Sequence, residues 1–324
     1  MSQLKKEDCI IVGGGPCGLS ASIRLREQGL NPLIIEKGNI VNAIYHYPTH
    51  QTFFSSSEKL EIGDVPFVIE EHKPRRNQAL VYYREVAKRK DLRINRFETV
   101  EKVEKTGDTF IVSTTKDQYE CNYIVIATGY YDHPNYMGIP GEELDKVYHY
   151  FKEAHPFFDT DVVVIGGKNS AVDAALELNK AGARVTVIYR GSEYSKSVKP
   201  WILPNFDALV RNGEIKMEFD ACVEEITDET VTYSRDGKTF SVTNDYVFAM
   251  TGYHPDHSFL TKMGIELDPE SGRPLINEET METNVDNIYI AGVIAAGNNA
   301  NEIFIENGRH HGGLIAEDIA GKER

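Results

Sequence analysis

The run Cys9-Ile10-Ile11-Val12-Gly13-Gly14-Gly15-Pro16-Cys17-Gly18 limits what this chain can fold into more than any other segment does. Its apolar residues read as a buried parallel strand, Gly13-x-Gly15-x-x-Gly18 as a tight turn, and Leu19 to Gln28 as the helix that follows. A helix N-terminus offers unpaired N–H groups and partial positive charge, so a pyrophosphate is expected on this loop. In that reading Gly13 permits the turn, Gly15 lets the backbone approach the phosphates, and Gly18 lets helix and strand pack closely, with Gly14 and Pro16 completing the loop. An acidic residue should then end the second strand. Leu33-Ile34-Ile35-Glu36-Lys37 supplies it 18 residues after Gly18, with Glu36 placed to accept from a ribose 2′-OH and Lys37 beside it. The pattern predicts an adenine dinucleotide site.

A second strand-turn-helix begins at Val162-Val163-Val164-Ile165-Gly166-Gly167-Lys168-Asn169-Ser170-Ala171 and runs to about Ala181, followed by the strand Arg184 to Arg190. Two such units in one chain indicate an oxidoreductase that binds two nucleotides. Lys168 stands where the middle glycine belongs, and it either points its charge at a phosphate or marks a distorted turn. The second site is expected at Gly167, Lys168, Asn169 and Ser170. No acidic residue closes its second strand. Tyr189-Arg190 comes instead, with Lys196 and Lys199 downstream. A guanidinium pairs bidentately with a 2′-phosphate, so Arg190, with Lys196, favours NADPH over NADH; the plainer alternative is a solvated charge at a strand end.

Apolar-to-glycine runs bracket this unit: Ile124 to Ala127 followed by Thr128-Gly129, and Val247 to Gly252. A last strand, Asn287 to Gly292, precedes a glycine-containing loop and a helix expected over 302–320. The simplest topology is an α/β protein of two Rossmann-like dinucleotide-binding domains. One domain, formed by 1–129 and 256–324, carries the other, 130–255, as an insertion.

At 324 residues the chain is long enough for two cores. A net charge of −15 argues against a general nucleic-acid or anionic-membrane partner. No stretch reaches the roughly 18 apolar residues of a membrane helix, and the first apolar run breaks into glycine after four residues, so a cytoplasmic protein is expected. The four cysteines, Cys9, Cys17, Cys121 and Cys222, form no Cys-x-x-Cys, which leaves no zinc site and no local redox dithiol. Cys9, Cys121 and Cys222 read as small buried hydrophobes. Cys17 differs, because the dipole at a helix N-terminus favours thiolate.

Together these features resemble the thioredoxin reductase-like flavoproteins over essentially the whole chain. Those enzymes carry a redox Cys-x-x-Cys just before the second fingerprint, but here Tyr148 to Phe157 contains no cysteine, which excludes thioredoxin reduction by the usual route. The loops Gly-Gly-Gly-Pro-Cys-Gly and Gly-Gly-Lys-Asn-Ser-Ala more closely resemble those of the bacillithiol disulfide reductase family, and both occur here verbatim at Gly13 to Gly18 and Gly166 to Ala171. The resemblance implies FAD in the first domain, NADPH in the inserted one, and reduction of a low-molecular-weight disulfide. It also implies cofactor contacts at Thr128, Gly129 and Gly292. The N-terminus of the last helix, around Glu302-Ile303, would then aim its dipole at the flavin. The wider flavoprotein group places an aspartate after the last Ala-Gly to hold the ribityl chain, whereas this chain has Val293.

In this scheme Cys17 is the catalytic residue, forming a mixed disulfide with one half of the substrate; its alternative is a small packing residue. His310, His311, His46 and His50 are candidate proton donors, because imidazole titrates near neutral pH. Tyr45 to Phe54, rich in aromatic and polar groups, suits a flavin pocket or a core loop equally. A homo-oligomer is expected. The competing functions are a ferredoxin or flavodoxin NADP reductase and a non-catalytic redox sensor.

Overall fold

A computed structural model describes residues 4–299 and 301–323. The chain divides into two compact units, Met1–His133 with Tyr253–Arg324 and Pro134–Gly252. The second is an insertion within the first, its limits falling four residues after 129 and three before 255.

In unit 1, β1 (Lys5–Val12) leads through the glycine loop into α1 (Pro16–Glu27) and β2 (Leu33–Glu36). The helix begins earlier than the sequence suggested, because proline's fixed φ suits the first helical position. A short α2 (Asn42–His46), α3 (Arg76–Arg89) and β3 (Ile94–Arg96) follow. Then β4 (Val100–Thr106), β5 (Thr109–Thr114) and β6 (Gln118–Ile126) form an antiparallel meander. The sheet order is β3-β2-β1-β6-β5-β4.

Unit 2 opens with β7 (Val147–Tyr148) and β8 (Asp161–Ile165), continues through α4 (Asn169–Lys180), β9 (Arg184–Ile188), α5 (Leu203–Arg211) and β10 (Ile215–Glu218), and adds an antiparallel sheet of β11 (Cys222–Ile226), β12 (Thr230–Arg235) and β13 (Lys238–Thr243). With β14 (Tyr246–Ala249) the main sheet runs β10-β9-β8-β14-β7, all parallel. The chain then returns to unit 1 with α6 (His257–Lys262) and β15 (Ile288–Ile290), which pairs in parallel with β6.

The single helix expected over 302–320 is two: α7 (Ile305–Gly308) and α8 (His311–Lys322). The Asn307 side chain accepts from Phe304 N at 2.7 Å and donates to Glu302 O at 2.9 Å, starting α7 after residue 304. The helix N-terminus expected around Glu302-Ile303 therefore stands two residues on, at Ile305. Ile303 packs instead on the core, its Cγ2 lying 3.2 Å from where a methyl on Gly308 would be. Cys222 also departs from expectation: it is exposed at the start of β11, because the three-stranded sheet leaves that edge in solvent. Cys9 and Cys121 are buried as expected.

α8 crosses α1 at very close range. A methyl added at Gly312 would fall 2.5 Å from Ala21 Cα, so the helices approach where neither carries bulk, whereas Gly321, later on the same helix, has nothing within 4 Å. Gly312→Ala should accordingly cost about 1–3 kcal/mol of unfolding free energy through overpacking, and Gly321→Ala should gain about 0.5–1 kcal/mol from helix propensity. Urea denaturation of the two variants checks the opposite signs.

Candidate functional site

Parallel register builds the first site. Val12 pairs with Ile35 and Ile126, and Ile290 with Ile126, so the carboxyl ends of β1, β2, β6 and β15 finish side by side. Gly13, with φ of 110°, turns here, and a methyl on it would lie 2.5 Å from Ala127 O. Only glycine satisfies both demands. Gly18 packs as tightly, its added methyl falling 2.1 Å from Gly13 O, while Gly15 faces open space, as a backbone that receives phosphate requires.

Glu36 is 6% exposed and finishes β2 under this loop. Its carboxylate accepts from Gly14 N at 2.6 Å and Gly38 N at 2.7 Å. Burial raises its pKa, and the two N–H donors oppose the rise. A carboxylate has about four acceptor positions, so two remain for a ribose hydroxyl pair. Lys37 pairs with Asp132 at 3.0 Å, which ties the second strand's end to the segment after Gly129. Thr128 presents a buried Oγ1 with no hydrogen-bond partner among the described residues. The open face of Gly15, the part-filled Glu36 and the unsatisfied Thr128 hydroxyl fit an adenine dinucleotide such as FAD.

Sequence reasoning included Tyr47 in an aromatic segment but missed its partners Tyr131 and Tyr253 and the support from Arg76. Tyr47 lies 5.1 Å from Tyr131, ring centre to ring centre, and Tyr131 lies 4.6 Å from Tyr253. Tyr130 and Tyr131 follow the Ala127-Thr128-Gly129 turn, so a strand end rich in tyrosine was the available signal. Arg76, 6% exposed, donates through Nε to Ile44 O at 3.2 Å and lies against the Tyr45 ring, holding α2 in place. His46 and His50 are exposed on either side of Tyr47-Pro48-Thr49.

Cys17 occupies the second position of α1 and is half-buried. Methyls added at Gly292 and Gly308 would lie 2.9 Å and 3.1 Å from its Sγ, so these two glycines make room for the sulfur. Burial pushes the Cys17 thiol up to about 12, the reverse of the thiolate expected at a helix N-terminus. The cause is desolvation, the sulfur being set against the packed backbone of Gly292 and Gly308. His311 Nδ1 accepts from Gly292 N at 3.2 Å, and burial lowers its imidazole to about 4. Its Nδ1 therefore holds the Gly292 turn, which leaves the proton of a neutral ring on Nε2. Val293 opens a single 3-10 turn, Val293–Ala296, immediately after that glycine.

In unit 2, Gly166 has φ of 134°, and added methyls at Gly167 and Gly191 would run into the Tyr189 ring at 2.4 and 2.5 Å. Tyr189 is therefore gripped between two glycines, which fixes where the strand ends and Arg190 begins. Arg190 is exposed, with no ion pair or hydrogen bond among the described residues, as are Lys168, Ser170 and Lys196. Asn169 opens α4 with its side chain engaged within the chain. Its Nδ2 donates to Ser197 O at 2.8 Å and its Oδ1 accepts from Lys199 N at 3.0 Å, so it clamps the basic loop onto the start of α4.

Comparison with known proteins decides the family. A profile of the pyridine nucleotide-disulphide oxidoreductases matches residues 10–292. A protein named bacilliredoxin reductase Bdr from Bacillus subtilis (strain 168) is 68% identical, over 98% of this chain and 99% of its own length. The structure of bacillithiol disulfide reductase Bdr from Bacillus cereus superposes with a TM-score of 0.97 at 69% identity, covering 98% of this chain and 100% of its own. The Staphylococcus aureus structure of the same name gives 0.96 at 61% identity, covering 99% and 100%. The chain belongs to the bacillithiol disulfide reductase family of pyridine nucleotide-disulphide oxidoreductases. No helix among the described residues is long and apolar enough to cross a membrane.

The raised Cys17 pKa makes labelling a direct test. Between pH 7 and pH 9, alkylation of Cys17 by iodoacetamide should climb roughly tenfold per pH unit without levelling, because a thiol far below its pKa gains thiolate in that proportion. Exposed Cys222 should be labelled ahead of it. Peptide mass spectrometry reads both sites; a plateau near pH 8 at Cys17 would show that the dipole wins after all.

Proposed function

We propose that this chain reduces bacillithiol disulfide with NADPH, holding FAD on unit 1 and NADPH on unit 2. The observation that carries the reading is a thiol set inside the phosphate-binding loop, at Cys17, where the ends of β1, β6 and β15 converge. Relatives named for bacillithiol disulfide support the choice of substrate. In the balanced reaction, one NADPH and one proton convert one disulfide to two thiols and leave NADP+. Bound FAD supplies a two-electron link between the hydride of NADPH and sulfur.

The chain's own residues divide the remaining work. Gly13, Gly14, Gly15, Pro16 and Gly18 give backbone to the pyrophosphate of FAD, Glu36 takes the ribose, and Thr128, Gly129 and Gly292 line the same strand ends. Arg190 and Lys196 take the 2′-phosphate of NADPH, with Gly167, Lys168 and Ser170 at the start of α4. Cys17 attacks one sulfur of the disulfide, which breaks the S–S bond, bonds one half to the protein and releases the other half as a thiolate that takes up a proton. Two electrons and two protons, the sum of one hydride from NADPH and one further proton, then free the second half as a thiol and return Cys17 to its resting thiol. Because burial holds the resting thiol protonated, deprotonation is part of the attack rather than a standing condition. The same reading places the enzyme in the cytoplasm as a homo-oligomer, which light scattering of the purified protein tests.

Losing one charge-assisted contact costs about 1.5–3 kcal/mol, so Arg190→Ala should weaken NADPH binding by roughly tenfold to a hundredfold and leave NADH use almost unchanged. Equilibrium binding of both nucleotides checks this. An equal loss for the two would assign Arg190 to structure.

Cys17→Ala should retain FAD and still be reduced by NADPH in stopped flow, yet lose turnover with bacillithiol disulfide. Wild-type protein quenched during turnover should carry one bacillithiol on Cys17 by mass spectrometry. A variant that turns over at the wild-type rate removes the sulfur from the reaction path and leaves an electron transferase.

A further inference from the structure

The parallel ladder between β6 and β15 ends at Ala291, whose N–H donates to Ile126 O at 2.9 Å. The next N–H along, that of Gly292, has left the ladder and needs another acceptor. His311, the first residue of α8, supplies it through Nδ1 at 3.2 Å. The imidazole is carried there because α8 crosses α1 at the next residue, Gly312, where a methyl would fall 2.5 Å from Ala21 Cα. One ring nitrogen thus fixes the turn that ends β15.

That turn is a wall of the Cys17 thiol. The sulfur lies 2.9 Å from the position of a methyl on Gly292 and 3.1 Å from that of a methyl on Gly308, and the latter position lies 3.0 Å from Gly292 Cα, so the thiol and the two glycines form one three-way contact. The Gly308 wall has a clip of its own. Ser20, one turn along α1 from Cys17, is 3% exposed, and its Oγ donates to Arg309 O at 2.7 Å, on the residue that follows Gly308.

We infer that His311 and Ser20 are positioning residues for the Cys17 thiol, each holding one of the two glycine walls that keep water off the sulfur, and that they thereby govern the thiol's readiness to attack the disulfide. The inference rests on the reading of Cys17 as the attacking sulfur. Releasing a wall lets water reach that sulfur, and a hydrated thiolate escapes the desolvation that now opposes it. The thiol of a released variant therefore ionises at lower pH. Neighbouring groups do not obscure the change. Tyr47, from the segment after α2, and Tyr83, from α3, are phenols that burial pushes up, and burial pulls His311 down to about 4, so all three stay neutral between pH 7 and pH 10. Arg309 keeps its charge throughout, with its guanidinium on Glu58 O and Glu61 O.

The test follows alkylation of Cys17 by iodoacetamide in the FAD-loaded protein from pH 7 to pH 10, read by peptide mass spectrometry. His311→Leu keeps much of the ring's bulk and removes the acceptor. Labelling at pH 8 should rise at least about tenfold and should level off toward pH 10, as the thiol returns toward the ordinary value of about 8.5. His311→Asn again offers an acceptor to Gly292 N and should restore most of the wild-type profile. Ser20→Ala removes one oxygen from the other clip and should shift the profile in the same direction, which keeps the inference open to refutation even if His311→Leu does not fold. Labelling of exposed Cys222 should be the same in every variant. A parallel rise at every pH without levelling, which wider access alone would give, overturns the inference, as does an equal change in His311→Leu and His311→Asn. Turnover with bacillithiol disulfide is followed alongside. Wild-type turnover by Cys17→Ala overturns the functional reading and leaves the labelling result standing, whereas wild-type labelling profiles in both His311→Leu and Ser20→Ala overturn the inference alone.

Discussion

The molecule depends on the closeness of three strand ends. Gly13 can turn beneath Ala127 O, and Gly292 beside Cys17, only because β1, β6 and β15 run parallel in a fixed register and carry no side chain at the points of contact. A one-residue slip would turn every core residue of a strand to the other face, so the buried apolar runs lock that register. Once it is locked, Glu36 must arrive beside Gly14 and Thr128 beside Gly13. The site is thus a consequence of core packing, and no loop has to be ordered separately to make it.

Cys17 shows two physical effects in opposition. A helix N-terminus stabilises thiolate by a modest electrostatic term, whereas enclosure between Gly292 and Gly308 removes the water that would solvate the charge. Enclosure pushes the thiol up to about 12, and the resting thiol stays protonated. His311 follows the same logic from the other side: burial strips its charge and leaves it a hydrogen-bond acceptor for the Gly292 turn. Both groups would look reactive by residue type alone, and their surroundings give each a quieter resting state.

In unit 2, what holds the basic end is packing rather than charge. Tyr189 is wedged between Gly167 and Gly191, and Asn169 uses its whole amide group on Ser197 and Lys199, so Arg190 and the loop carrying Lys196 are fixed while their charges stay in solvent. That explains how Lys168 can replace a glycine: it sits exposed at the start of α4 in an extended conformation that any side chain adopts.

By itself, the sequence determined the two strand-turn-helix units, the acidic end of β2, the basic end of β9 and the family resemblance. Each of these is written in a local run whose glycine spacing and apolar blocks have few alternative readings. The tertiary structure alone decided the break after Gly308, the exposure of Cys222, and the burial that shifts Cys17 up and His311 down. These depend on residues hundreds of positions apart, such as Ser20 with Arg309 and Cys17 with Gly292, meeting in space. Desolvation is set by those neighbours, and no local pattern in the chain records them.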